Sequence, residues 1–162
     1  MFHWKFVEEL LTKTNATIIV PDYPLAPQAT CQDVFAFIQG IYIDLLQSNV
    51  SPQNINIIGD SAGGGMALGF AQQLRDENKP QPAQIILLSP WLDITMSNAG
   101  INEVEKEDKM LGAKWLRLAG QMYAGASDGK DFRVSPIYGN LRGLGKISVF
   151  IGTHDLFISD CR

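Results

Sequence analysis

The apolar positions of this chain alternate between two periods. Phe2, Phe6, Val7, Leu10 and Leu11 fall at i, i+4, i+5, i+8 and i+9, which is one face of a helix. Ala16 to Val20 is a short β-branched run closed by Pro21 and the turn-rich Tyr23-Pro24-Leu25-Ala26-Pro27, and it predicts a buried strand. Thr30 with Asp33 three residues on has the form of a helix-capping pair. Val34, Phe35, Phe37, Ile38, Ile41, Tyr42, Leu45 and Leu46 then make a strong helical stripe. Ile55 to Ile58 predicts a second strand, ending in Gly59. Ala62 to Asn78 predicts a helix with Met66, Phe70, Ala71 and Leu74 on one side, stopped by Lys79-Pro80. Gln84 to Leu88 and Ile147 to Ile151 complete the strands. Strands that are apolar throughout and alternate with helices imply a parallel sheet covered on both faces, with right-handed crossovers.

Leu92 to Gly145 is longer than a simple crossover and reads as an irregular, partly helical, insertion-like segment. It carries a helix around Ala113 to Tyr123 and a loop rich in Gly, Asp and Ser at Gly125 to Asp131. Its acidic run, Glu103, Glu105, Glu107 and Asp108, is expected to be a solvated face.

Composition narrows the class. At 162 residues, with 46% apolar and 19% charged residues, the chain suits one globular domain. It is neither a disordered tail, a collagen-like repeat nor a disulfide scaffold. A net charge of −4 argues against nucleic acid as a partner. Cys31 and Cys161 are expected to be free thiols in a reducing cytoplasm. The first eleven residues do not read as a signal peptide, since His3, Lys5, Glu8 and Glu9 interrupt them. No apolar run approaches the roughly 20 residues a membrane span needs.

One motif carries chemistry. Gly59-Asp60-Ser61-Ala62-Gly63 fits G-x-S-x-G, and it lies between a predicted strand and a predicted helix, the context of a nucleophile elbow. So tight a turn needs very small flanking residues, here Gly59 and Gly63, while Gly64 and Gly65 let the helix start approach closely. Ser61 would then be held in a strained conformation, with the backbone N–H of Ala62 aimed at a developing oxyanion. A tightly packed turn without chemistry is the plain alternative. A phosphate loop is disfavoured, because neither a Walker Lys-Ser/Thr nor a G-x-G-x-x-G spacing is present.

With these residues the chain resembles the hormone-sensitive-lipase-like carboxylesterases of the α/β-hydrolase superfamily. Asp22-Tyr23-Pro24-Leu25-Ala26-Pro27-Gln28 is similar to that family's D-Y-R-L-A-P-E turn, and Gly59 to Gly64 to its G-D-S-A-G-G. Ser89-Pro90-Trp91-Leu92-Asp93 matches its S-P-W-x-D. Ser135-Pro136, Gly143-Leu144 and Gly152-Thr153-His154-Asp155 match the approach to its catalytic acid. The resemblance implies a three-layer α/β sandwich with a mostly parallel sheet, with residues 1–162 forming a single, partial hydrolase domain. It implies Ser61 as nucleophile, Asp155 as triad acid and a small-molecule ester as substrate, with neither metal nor organic cofactor. Asp160 is a weaker candidate for the acid. Asp60 takes a structural role, Asp22 and Asp93 anchor loops, and Tyr23 and Trp91 pack.

Two family elements are missing. Neither histidine suits the general base: His154 adjoins the proposed acid, and His3 lies beside Trp4 on the first helix as a surface or half-buried side chain. The family's H-G-G-G loop, which supplies further oxyanion donors, has no counterpart. The chain therefore reads as a hydrolase domain truncated at both ends, inactive in isolation and prone to self-association through exposed strand edges. The competing reading is a non-catalytic, hydrolase-derived remnant that binds a ligand or partner.

Overall fold

A computed structural model describes residues 2–162. Its centre is a three-stranded, wholly parallel sheet in the order β1-β2-β3, formed by Asn56–Asp60, Gln84–Leu88 and Lys146–Phe150. The register aligns Ile57, Ile85 and Ile147 across the sheet, and Asp60, Leu88 and Phe150 at its C-terminal edge. Helices α1 (Phe2–Thr14) and α2 (Cys31–Gln47) precede the sheet, α3 (Ala62–Asp76) joins β1 to β2, and α4 (Ile101–Val104) and α5 (Ala113–Ala124) lie in the long connection to β3. Three short 3-10 turns, Pro52–Asn54, Pro136–Tyr138 and Leu156–Asp160, complete the described elements.

Helix α3 covers one sheet face. Ala67, Leu68 and Ala71 pack on Ile85, Leu87 and Leu92, while Met66, Phe70 and Leu74 face Val34, Phe35 and Tyr42 of α2. Phe70 sits edge-on to Phe35 and Tyr42. Full burial of one such side chain is worth about 1.5–3 kcal/mol, which is why the apolar stripes of α2 and α3 fix their positions. The capping pair forms as expected, with Thr30 N donating to Asp33 Oδ2 at 2.8 Å.

Three expectations need correction. Ala16–Val20 joins no ladder, and Ile19 and Val20 are exposed. A strand exists only through hydrogen bonds to a neighbour, and this segment has none among the described residues. Instead it flanks an apolar cavity of about 610 Å³, lined also by Ile57, Ile58, Met66 and Phe70. Among the described residues no helix layer closes the opposite sheet face: Ile58 and Phe150 remain 40% and 60% exposed. The acidic run is not simply solvated. Glu105 Oε1 accepts from Ala113 N at 2.7 Å, and Asp108 accepts three backbone amides.

The Leu92–Gly145 segment builds a core of its own. Ile94, Met96, Ile101, Ala113, Ala124 and Val134 enclose Trp91, Leu156 and Phe157, with Trp91 stacked on Phe157 at 6.1 Å. Its hub is Asp93, 2% exposed, whose carboxylate gathers Thr95, Ser97 and Tyr138. This is the anchoring role expected for Asp93.

Candidate active site

Ser61 occupies the single residue between β1 and α3. It is the N-cap of α3 with φ 54° and ψ −117°, a conformation that costs a non-glycine residue about 1–3 kcal/mol. Its backbone is held from both sides. Ser61 N donates to Leu88 O at 2.9 Å, and Ser61 O accepts from Trp91 N at 2.9 Å and Gly64 N at 3.0 Å. The turn thus hangs on the residues that follow β2, so Ser-Pro-Trp after that strand is part of the same local structure.

The glycines divide differently from expectation. A Cβ at Gly59 would overlap the Gly63 carbonyl and press on Gly64 N at 2.6 Å. One at Gly64 would meet Pro90 Cβ at 2.7 Å, and one at Gly65 would overlap the Trp91 carbonyl oxygen. At Gly63 a Cβ would meet nothing within 4 Å. Small size is therefore demanded at 59, 64 and 65, and Gly63 contributes its close-lying backbone rather than an absent side chain. Ala62 opens α3, where the first amides have no intrahelical partner and the helix dipole adds positive potential.

Asp155 follows β3 and caps the turn Leu156–Asp160, with its Oδ1 accepting from Phe157 N at 2.9 Å. It is half-buried. Ser61 and Asp155 emerge at the same, C-terminal edge of the sheet, from strands separated by β2. Ser61 directly follows β1, whereas Asp155 lies in the loop beyond the end of β3. At the ends of β2 and β3 lies an open crevice lined by Leu88, Ser89, Val149, Phe150, Ile151 and Gly152.

The other carboxylates behave differently. Burial pushes the Asp160 carboxyl up; Asn98 donates to its Oδ1 at 2.9 Å, and its Oδ2 is buried with no partner. That environment favours the neutral acid, which suits it poorly to hold an imidazolium. At Asp93 burial pushes upward too, but the hydrogen bonds from Thr95, Ser97 and Tyr138 together outweigh it and hold the carboxyl below its ordinary range. Asp60 reaches across to α1, where its Oδ2 lies 3.1 Å from His3 Nε2 in an exposed pair. Asp22 is exposed. Trp91 packs and donates its Nε1–H to Asp93 O at 2.9 Å.

Neither histidine is hydrogen-bonded to Ser61 or Asp155 among the described residues. His3 is engaged with Asp60, and His154 is exposed beside Thr153. Cys31 is wholly buried in the core, which removes it as a nucleophile for any substrate. No described helix is long and apolar enough to cross a membrane.

Sequence reasoning gives Asp93 an anchoring role but does not single out Asp108. The only signal for Asp108 was an acid two residues before Met110-Leu111, which an acidic run conceals.

A family model described as an alpha/beta hydrolase fold matches residues 1–162. An esterase of Acinetobacter venetianus is 31% identical over 161 residues, covering 99% of this chain and 53% of that protein. A triacylglycerol lipase of Mycobacterium tuberculosis is 34% identical over 157 residues, covering 96% of this chain and 31% of its own length. Among solved structures, an esterase/lipase from an uncultured bacterium superposes with a TM-score of 0.91 at 30% identity, over 98% of this chain and 53% of that one. An esterase of the bacterial hormone-sensitive lipase family gives a TM-score of 0.84 at 28% identity, over 87% of this chain and 48% of that one. The chain spans between about a third and about half of these proteins.

Proposed function

The chain belongs to the α/β-hydrolase fold family, and from that premise we propose that it is the nucleophile- and acid-bearing part of a serine carboxylesterase. The observation that carries this reading is the backbone of Ser61, a non-glycine residue at φ 54° pinned between β1 and α3. Such strain clusters at functional sites, and in a strand-to-helix turn it presents a hydroxyl above a helix N-terminus.

In the proposed reaction Ser61 Oγ attacks the carbonyl carbon of a carboxylic ester. A histidine takes the hydroxyl proton, and the carbonyl oxygen becomes an oxyanion facing the Ala62 amide. Collapse expels the alcohol, which takes the proton from the histidine. Water, activated by the same histidine, then releases the acyl group and restores Ser61. Asp155 retains one carboxylate oxygen beyond its own turn, and that oxygen orients the imidazole and stabilises its charged form.

His3 and His154 do not fill the role of base, so residues 1–162 on their own are expected to turn over esters very slowly. Loss of a triad member leaves roughly 10³–10⁴-fold acceleration over water. The unpaired thiols of Cys31 and Cys161 fit a reducing, cytoplasmic setting.

The test is hydrolysis of p-nitrophenyl butyrate beside Ser61→Ala, in this chain and in the chain completed by a histidine-bearing partner or extension. Ser61-dependent turnover that appears only on completion is expected. A completed protein with Ser61 intact that ignores short acyl esters overturns the reading in favour of a non-catalytic hydrolase-derived domain. That second reading has one observation on its side: among the described residues no histidine is bonded to Ser61.

A further inference from the structure

The loop that carries Asp155 is not held by the sheet from which it emerges. Leu156, the first residue of its turn, is wholly buried, and its amide needs a partner that the short turn cannot supply. That partner is Asp108, whose Oδ2 accepts from Leu156 N at 2.9 Å across 48 residues of chain. The other oxygen of the same carboxylate accepts from Met110 N at 2.8 Å and Leu111 N at 2.9 Å. Hydrogen bonding to its ionised form holds the Asp108 carboxyl below its ordinary range despite the upward push of burial.

The geometry points to Asp108 as the positioning residue for Asp155, the residue through which the Leu92–Gly145 segment orients the triad acid. This rests on the proposed role of Asp155. The bond to Leu156 N holds the Asp155–Leu156 peptide in place and so restrains the backbone from which the Asp155 side chain leaves. With that amide taken by Asp108, Asp155 spends only Oδ1 on its own turn, at Phe157 N, and keeps Oδ2 for an imidazole N–H. Other ties to the turn are independent of Asp108. Asn98 Nδ2 donates to Ser159 O at 2.8 Å and Asp160 Oδ1 at 2.9 Å, and Leu156 and Phe157 lie in the core with Ile101 and Met96. Removing Asp108 should therefore loosen the aim of Asp155 without releasing the loop.

The test compares Asp108→Ala and Asp108→Asn with the parent chain and with Asp155→Ala and Ser61→Ala. Amide exchange is read by NMR at Leu156 and Phe157, with Ile85 and Leu87 as internal controls, and the Asp155 carboxyl ¹³C signal is followed. In Asp108→Ala the Leu156 amide is expected to exchange about tenfold faster, the loss of one charge-assisted hydrogen bond, while the β2 amides move less than about twofold. The Asp155 carboxyl signal should shift or broaden. In the completed, ester-hydrolysing protein kcat should fall about 10- to 100-fold with KM changed less than about twofold, the signature of a misaimed group. Asp108→Asn, which keeps one acceptor oxygen, should lie between. An unchanged Leu156 amide, or a loosened one with an unmoved Asp155 carboxyl signal, overturns the inference. If Asp155→Ala leaves kcat intact while Ser61→Ala abolishes it, the role of Asp155 itself is wrong. The exchange data separate that failure from failure of the tether.

Discussion

Replacing Asp93 with alanine should destabilise the chain more than any other change to a carboxylate. Asp93 Oδ1 accepts from Thr95 N at 2.8 Å and Thr95 Oγ1 at 2.6 Å. Its Oδ2 accepts from Ser97 Oγ at 3.1 Å, Ser97 N at 3.3 Å and Tyr138 OH at 3.0 Å. The hydroxyls can rotate toward water or one another, and Ser97 Oγ already lies 3.0 Å from Tyr138 OH. The two amides cannot turn without moving the backbone. A hydrogen bond to a charged acceptor contributes about 1.5–3 kcal/mol, and with the longer Ser97 contact taken at the low end the two amides put the loss near 4 kcal/mol. For a domain of this length each kcal/mol shifts Tm by roughly 2–4 °C, so Asp93→Ala should lower Tm by about 10 °C. Asp93→Asn keeps the shape and one acceptor, and about half of that loss is expected.

The same residue sets an acid dependence with a definite sign. Its folded pKa is depressed, so its contribution is fully present above the unfolded value of about 4 and is lost as pH falls through the lower folded value. Asn does not titrate. In thermal melts followed by circular dichroism, the Tm gap between wild type and Asp93→Asn should be constant from about pH 5 to 8 and should narrow below about pH 4. A gap that holds or widens in acid, or a fall of under 2 °C for Asp93→Ala, would refute the view that a buried, ionised Asp93 organises this segment.

Other predictions follow from the elbow, the open sheet face and the thiols. Gly59→Ala forces a methyl into the Gly63 carbonyl and should cost about 3 kcal/mol or more, read as loss of soluble protein or a lower Tm. Ser61→Gly relieves the positive φ and, after glycine's own entropic cost, should raise Tm by about 2–4 °C, whereas Ser61→Ala should leave it unchanged. Phe150, 60% exposed on β3, offers apolar surface for self-association; Phe150→Lys should weaken association roughly ten- to a hundredfold by sedimentation. The Cys161 thiol is pushed up to about 11 by burial, with the charges of Asp160 and Asp155 adding to it. At pH 8 only about one part in a thousand is thiolate, so iodoacetamide should label Cys161 more than about 100-fold more slowly than an ordinary thiol, recovering as pH rises toward 11.

The parts of this structure that were legible beforehand share a property: their cause is local. The Ser61 elbow is encoded within a few residues, because the glycines, the preceding apolar run and the following helical stripe all act on the same turn. Helices α2 and α3 follow from stripes whose partners are each other. Ala16–Val20 has the composition of a strand, yet it is not one, since pairing depends on a neighbour that composition cannot supply. Gly63 and Gly64 look equivalent in sequence. Only the approach of Pro90 distinguishes them, and that approach is a tertiary fact.

The acid side of the site shows the same division more sharply. The position of Asp155 after a strand is legible in the sequence; what holds its turn is not. The turn it caps rests on Asp108, on Asn98 and on a core built by the Leu92–Gly145 segment, which had read as an insertion with a solvated acidic face. A carboxylate that accepts two amides of its own turn and one from 48 residues away looks, in sequence, like any surface aspartate. On the proposed reading, the sheet presents the nucleophile and the segment beside it aims the acid. In this family member, substitutions far from Ser61 but within that segment should therefore act on catalysis by moving Asp155, and they should do so without altering the elbow.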